Sequence, residues 1–520
     1  MNRRHFLKST GAAASGCVLA PLLTGCQAAG PANTRERKRP NILFIMADDH
    51  TTQAISCYDG FLAALADTRN IDRIAREGVR LDNCFCANSI CSPSRATILT
   101  GLHNHANGVR CLGQPLDESL VTFPRLFQQA GYQTAIFGKW HLKSRPQGFD
   151  EYKVLKVQGR YRDPQFVIPD SEEMETIEGW STDIIADLTI DHIRKRDRSR
   201  PFLTLCQFKA THDPWASREP YKSMFQDVEF PEPANLYDTY ENRSQAARST
   251  TLKLERMNQS TYPHQRLADA DWRQQRGHIY QQYIKDFLRC GKVLDENVGR
   301  LLNFLDAEGL AEDTIIVYTA DQGHFLGEHG FFSKRFMYDE AMRMPFLIRY
   351  PRWLKPAVVN DDMIANVDFA PTLLDMAGIP VPASMQGRSF KRNLQGRTPS
   401  DWPQAVYYHY WQHLLHRNVP AHYGIRTKDK KLIFYYGLPL GQTSYKPTPP
   451  EWELFDLRDD PHEMKNVYGD PHYAEIIAAL KKQLLAVKQR LGDTDEQYPE
   501  LMEVRRQWWT AQDPMALPRS

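Results

Sequence analysis

Asn41-Ile42-Leu43-Phe44-Ile45-Met46-Ala47 runs straight into Asp48-Asp49, a near-continuous apolar stretch of strand length that stops on two carboxylates. Similar β-rich runs recur at 134–138, 201–208, 314–320 and 345–350. Helical patterns lie between them. One covers residues 71–75 and a longer one 280–305, where Tyr283, Ile284, Phe287, Leu288, Leu294, Val298, Leu301, Leu302 and Leu305 recur at helical spacing. Strands alternating with helices predict an α/β fold: a large, mostly parallel sheet flanked by helices on both faces.

In such a sheet, ligands bind at the carboxyl ends of the strands, where loops converge on the crevice at which strand order reverses. Reactive residue types should therefore follow the apolar runs. They do so four times: Asp48-Asp49, Lys139-Trp140-His141, Lys209-Ala210-Thr211-His212 and Asp321-Gln322-Gly323-His324. One coincidence would carry little weight, since Asp often caps a helix that follows a strand. Four in one chain point to a site. Asp48, Asp49, Asp321 and Gln322 offer oxygen ligands, the set that suits calcium or magnesium rather than zinc. Lys139, His141, His212 and the later Lys334 add positive charge and proton transfer, as an anionic ester would require.

Residues 220–275 are polar and lack strand periodicity, which predicts an insertion beside the sheet. After about Gly396 the strands shorten, at 423–427, 431–436 and 453–457, and an amphipathic helix follows at 474–491. A smaller C-terminal antiparallel sheet with one helix is expected there. The chain thus divides into an export segment at 1–39, a catalytic α/β domain at 40–395 and an α+β subdomain at 396–520. In the export segment, Arg3-Arg4-His5-Phe6-Leu7-Lys8 and the apolar stretch 11–23 resemble a twin-arginine signal. Leu23-Thr24-Gly25-Cys26 looks like a lipobox, with Cys26 as the lipidated residue and a polar tether behind it. The expected location is the periplasm or cell envelope of a bacterium, with membrane contact only through that anchor.

The 65 basic and 63 acidic residues leave a net charge of +2, so nothing points to nucleic acid or an anionic membrane surface, and an anionic substrate must be held locally. None of the nine cysteines shows CxxC metal spacing. Cys84 and Cys86, two apart in a strand-like stretch, face the same side and read as core thiols. In Cys91-Ser92-Pro93-Ser94-Arg95-Ala96-Thr97, Pro93 stands just inside a helix start with Ser92 as the expected cap. Cys91 would then sit at the positive end of a helix, either as a reactive thiolate or as a buried structural thiol.

Cys-x-Pro-Ser-Arg-Ala at 91–96, with Thr100-Gly101 behind it, resembles the signature of the type I formylglycine-dependent sulfatases of the alkaline phosphatase superfamily. The resemblance takes in Asp48-Asp49, Gly138-Lys139-Trp140-His141, Thr211-His212-Asp213-Pro214-Trp215, Asp321-Gln322-Gly323 with Gly327-Glu328-His329-Gly330, and Lys334 before Tyr338-Asp339-Glu340. It implies that a maturation enzyme oxidises Cys91 to formylglycine, whose hydrated aldehyde attacks sulfur. It also implies one calcium ion held by Asp48, Asp49, Asp321, Gln322 and the modified Cys91. Lys139 and Lys334 would clamp the sulfate and Arg95 steady the hydrate. His212 would protonate the leaving oxygen, and His141 would help the hemiacetal break down. Gln322 stands where the family more often has Asn or His. The implied substrate is a sulfated carbohydrate, with the N-acetylglucosamine-6-sulfatase branch closest in look.

Competing readings are a phosphomonoesterase or phosphodiesterase of the same superfamily, against which the Pro-Ser-Arg signature and oxygen-only ligands argue, and a non-catalytic glycan-binding lipoprotein. Residues 407–426 carry Tyr408, Trp411, His413, His416, Arg417, His422 and Arg426, which suit either stacking on a sugar or packing between subdomains. His103 and His105 read as solvated loop histidines.

Overall fold

The apolar runs fall in register because their alternate residues feed two separate helix layers. In the computed structural model, which describes residues 39–510 apart from Glu172 and Ser260, the large sheet has ten strands. They are β1 (Asn41–Ala47), β2 (Val79–Leu81), β3 (Gln133–Lys139), β4 (Glu151–Leu155), β5 (Gln165–Val167), β6 (Met174–Thr176), β7 (Phe202–Gln207), β8 (Thr314–Ala320), β9 (Phe346–Arg349) and β10 (Val358–Asn360). Their spatial order is β10-β2-β9-β8-β1-β7-β3-β4-β5-β6. The central five, β8-β1-β7-β3-β4, are parallel. The run at 345–350 becomes β9, which is antiparallel to both β8 and β2.

Along β1, Ile42, Phe44 and Met46 face a layer that contains Ile98, Leu99, Phe123 and Phe127. Leu43, Ile45 and Ala47 face the opposite layer, with Ile71, Ile74, Leu294, Val298 and Leu301. A strand between two apolar layers has no solvent face, which is why its sequence shows no polar alternation. The covering helices are α1 (Arg69–Arg76), α2 (Cys91–Thr100), α3 (Ser181–Lys195) and α4 (Trp272–Ala307). The pattern expected from residue 280 thus begins at Trp272. Asp271 starts the helix with a capping box: its side chain accepts from the amides of Arg273 and Gln274, at 2.8 and 2.9 Å, and Gln274 accepts from the Asp271 amide at 3.0 Å.

The smaller sheet is antiparallel, β11 (Ala405–Tyr410), β12 (His422–Thr427), β13 (Lys430–Tyr435) and β14 (Glu451–Asp456). Helices α5 (Ala474–Leu491) and α6 (Pro499–Trp508) cover it, with Leu480, Leu484, Leu501 and Trp508 in the core around Trp452. Both sheets belong to one compact unit. At their seam Arg426 grips Asp339 with two hydrogen bonds, at 3.3 and 2.7 Å, and Tyr338 donates to Glu453 at 3.1 Å. Of the 407–426 set, Tyr408, Trp411, His413, His422 and Arg426 are buried packing groups, and the Tyr408 hydroxyl donates to the Arg335 carbonyl at 2.8 Å, whereas His416 is exposed and Arg417 half-buried. His103 and His105 are not solvated either. Their rings stack 6.1 Å apart beside Tyr407, and His105 Nε2 lies 2.9 Å from the Leu491 carbonyl, because α5 ends over this loop.

Close approach of β3 and β7 requires a glycine next to Lys139. Gly138 has φ +102, and a Cβ there would lie 1.9 Å from the Gln207 carbonyl oxygen. Gly138→Ala should lower stability by on the order of 3 kcal/mol, read as an earlier midpoint in chemical denaturation.

Candidate active site

Strand register brings the polar residues to one edge. Met46 and Gly138 both pair with Gln207, and Ala47 pairs with Ala320. Asp48, Lys139, Lys209 and Asp321 therefore leave the sheet side by side. Asp49 adopts a left-handed backbone, φ 69, and its amide donates to Asp321 Oδ1 at 3.2 Å. Asp48, Asp49 and Asp321 each present an oxygen within 4.8 Å of the others, and Asp48, Cys91 and His212 form a second such trio.

Helix α2 is buried along all of its ten residues. Its cap is Ile90 rather than Ser92, and the cap makes no side-chain hydrogen bond. Ser92 lies inside the first turn because its hydroxyl is committed elsewhere, donating to the His141 carbonyl at 2.7 Å. Cys91 thus opens the helix, 1% exposed, and Lys334 Nζ lies 3.2 Å from its sulfur. Arg95, one turn on, donates through Nε to Asp321 Oδ2 at 2.9 Å and through Nη1 to the Lys139 carbonyl at 2.8 Å.

Three buried carboxylates this close repel each other strongly unless cations intervene. Lys139 bonds Asp48, and Lys334 bonds Asp49. Burial would raise the Asp48 carboxyl, yet Lys139, His212, Lys334 and Arg95 hold it well below the usual range. Asp321 is pushed up to about 6 by burial and by Asp48. Burial lowers His212, but Asp48 and Asp213 outweigh it and raise the imidazole to about 10. Burial and Lys139 push His141 down to about 2, leaving it neutral.

The donor set suits a hard divalent cation. Asp48 Oδ1 and Gln322 Oε1 are buried and have no hydrogen-bond partner among the described residues, although buried oxygens normally find one. Gln322 turns its amide nitrogen to Asp321 Oδ1 at 2.7 Å and also to Asp49. A half-turn of the amide would put its oxygen there instead. Asp48, Asp49, Cys91, Arg95, Lys139, His141, His212, Asp321, Gln322 and Lys334 lie close together at this edge. Two neighbours stood in the quoted motifs without a role of their own. His324 Nδ1 lies 3.5 Å from Asp49 Oδ2, and Asp213 Oδ1 lies 2.7 Å from His212 Nδ1. Both follow expected site residues within two positions, and that adjacency was the available signal.

Two family models cover most of the chain, Sulfatase over residues 40–379 and N-sulphoglucosamine sulphohydrolase, C-terminal, over residues 327–490. The chain belongs to the sulfatase family. An N-acetylglucosamine-6-O-sulfatase of Bacteroides thetaiotaomicron is 43% identical over 512 residues, 89% of this chain and 88% of that protein. A solved structure of a protein in complex with its substrate, D-glucosamine-2-N,6-O-disulfate, has a TM-score of 0.82 at 40% identity, covering 89% of this chain and 100% of that one. A phosphonate monoester hydrolase from Silicibacter pomeroyi shares the fold, with a TM-score of 0.70 at 22% identity over 87% of this chain and 96% of that one. This sulfatase is accordingly a sulfuric ester hydrolase, with a large mixed sheet, a small antiparallel one and an acidic cluster placed to hold a metal ion.

Chelation should lower the melting temperature of this sulfatase, and a divalent cation at 100 times its Kd should restore about 2.7 kcal/mol. Asp321→Asn should suppress that recovery, as followed by differential scanning calorimetry.

Proposed function

We propose that this sulfatase removes the 6-O-sulfate of a glucosamine-type sugar, using a formylglycine made from Cys91 and one calcium ion bound by Asp48, Asp49, Asp321, Gln322 and the modified Cys91. The observation that carries the reading is the position of Cys91: at the start of a buried helix, 3.2 Å from Lys334 Nζ and beside the carboxylate cluster. The relatives that act on 6-sulfated glucosamines support the choice of sugar. When present, the aldehyde hydrate and the ion would supply an oxygen nucleophile and a Lewis acid.

The chain's own groups divide the remaining work. Lys139 and Lys334 bring positive charge to the place where sulfate oxygens would lie, and the dry surroundings strengthen their pull. Arg95 ties Asp321 to the end of β3 and so holds the carboxylate cluster in shape. His212, protonated at neutral pH through Asp48 and Asp213, donates a proton to the leaving sugar oxygen. His141, neutral and with an unpartnered buried Nδ1 among the described residues, accepts one in the second half-reaction.

Burial of Cys91 also orders events. A maturation enzyme must reach the thiol before α2 is enclosed, so oxidation precedes folding. A twin-arginine signal, which carries folded cargo, would then deliver a finished enzyme to the cell envelope, tethered through Cys26. Among the described residues no helix is long and apolar enough to cross a membrane.

Peptide mass spectrometry of protein made in its native host should find the aldehyde at residue 91; an unmodified thiol in an active preparation would sink the mechanism. Cys91→Ala should lower turnover by more than about 1000-fold with an unchanged melting temperature. Regioselectively sulfated glucosamines should release sulfate from the 6-position, whereas the matching phosphate esters should release far less phosphate. Release of phosphate alone would transfer the chain to the phosphoesterase reading. A Cys26→Ala variant should leave the membrane fraction for the soluble one.

A further inference from the structure

Two segments without an assigned role meet at His212. Tyr262 belongs to the insertion, and Arg417 to the loop between β11 and β12 of the small sheet. Arg417 Nη2 donates to the Tyr262 hydroxyl at 2.7 Å, and that hydroxyl donates in turn to Asp213 Oδ2. Asp213 Oδ1 lies 2.7 Å from His212 Nδ1, while His212 Nε2 points the other way, 3.8 Å from Asp49 Oδ2. Four side chains from three parts of the chain thus form one row, linked by two hydrogen bonds and the Asp213–His212 ion pair, with His212 Nδ1 also 2.9 Å from the Asp213 carbonyl, and the row ends at the reacting centre.

We propose that Tyr262 and Arg417 are positioning residues that fix His212 for proton transfer, an inference that rests on the reading of His212 as the acid. A carboxylate and a carbonyl of one residue that together face Nδ1–H fix the orientation of the imidazole and keep Nε2–H for the substrate side. Asp213 can do this only if its own plane is fixed. Its second oxygen is held by Tyr262, whose ring is stacked on Trp215 with centroids 5.2 Å apart. Arg417 steadies the row from its outer end, because a hydroxyl that accepts from a guanidinium donates more strongly itself. Arg417 is anchored by its backbone, whose carbonyl accepts from Thr251 N at 3.0 Å and Thr250 Oγ1 at 2.7 Å, both in the insertion. The guanidinium also lies 4.6 Å from the Phe332 ring centroid. Lys209 Nζ holds the Asp213 carbonyl at 3.0 Å, and Tyr161 the His212 carbonyl at 2.8 Å, so the backbone beneath the row is fixed as well. The insertion and the small sheet thereby become part of the catalytic apparatus.

A double-mutant cycle tests this on the full-length, matured enzyme, with the sulfated sugar found by the screen above. Tyr262→Phe keeps the ring and removes the hydroxyl; kcat should fall about tenfold with little change in KM or melting temperature. Arg417→Met should cost less, and Arg417→Lys should recover part of that loss. His212→Asn should lower kcat about 100-fold or more, and adding Tyr262→Phe to it should cost almost nothing further, since the row then has nothing to position. If His212→Asn is harmful and Tyr262→Phe is either harmless alone or fully additive with it, the positioning role is wrong. If His212→Asn is itself nearly harmless, the assignment of the acid falls instead.

Discussion

Three carboxylates buried at the end of a parallel sheet, Asp48, Asp49 and Asp321, are the constraint around which this sulfatase is built. Each would favour its neutral form in such surroundings, and each makes the next harder to ionise. Asp321, raised to about 6, registers that strain, while Asp48 stays ionised through its cationic neighbours. The cations come from separate elements: Lys139 from the end of β3, Arg95 from α2 and Lys334 from the loop after β8. Together with His212 they offset the carboxylates' mutual repulsion, so the site is complete only when these distant elements have come together.

The same arrangement explains how a chain with a net charge of +2 can serve an anionic ester. Its surface need not be basic. The positive charge is local, enclosed with the carboxylates and strengthened by exclusion of water. Fold alone does not select sulfate, since a phosphonate monoester hydrolase has the same architecture.

The peripheral segments act on that centre rather than decorate it. The small sheet meets the large one through buried polar pairs, with Arg426 on Asp339 and Tyr338 on Glu453. Such contacts are directional and fix one docking geometry. That geometry delivers Arg417 to Tyr262, and hence a restraint on Asp213 and His212. Aromatic residues at 407–411 that would suit a sugar are instead spent on this seam, where Tyr408 reaches the carbonyl of Arg335 next to Lys334.

Local sequence pattern marks the inner strands β1, β3, β7, β8 and β9, the helices α1 and α4 and the polar residues at the strand ends, whereas β2, β4, β5, β6, β10 and α3 are too short or too mixed in character to stand out. Strands enclosed on both faces must be apolar throughout, and polar residues can follow only where such a strand ends, so β1, β3, β7 and β8 announce both themselves and the site. β11 escaped notice because Tyr407, Tyr408 and His409 are buried polar aromatics that read as neither core nor surface. The start of α4 escaped because its signal is a cap, Asp271 to Gln274, and not an apolar period. Long-range contacts decide that Ile90 rather than Ser92 caps α2, that His103 and His105 are enclosed by α5, and that Arg417, Tyr262 and Asp213 form one row behind His212. Those outcomes depend on contacts between residues far apart in the chain, such as Arg417 to Tyr262 across 155 positions. Local periodicity records which face of an element is buried, and it carries no information about which distant partner is waiting there.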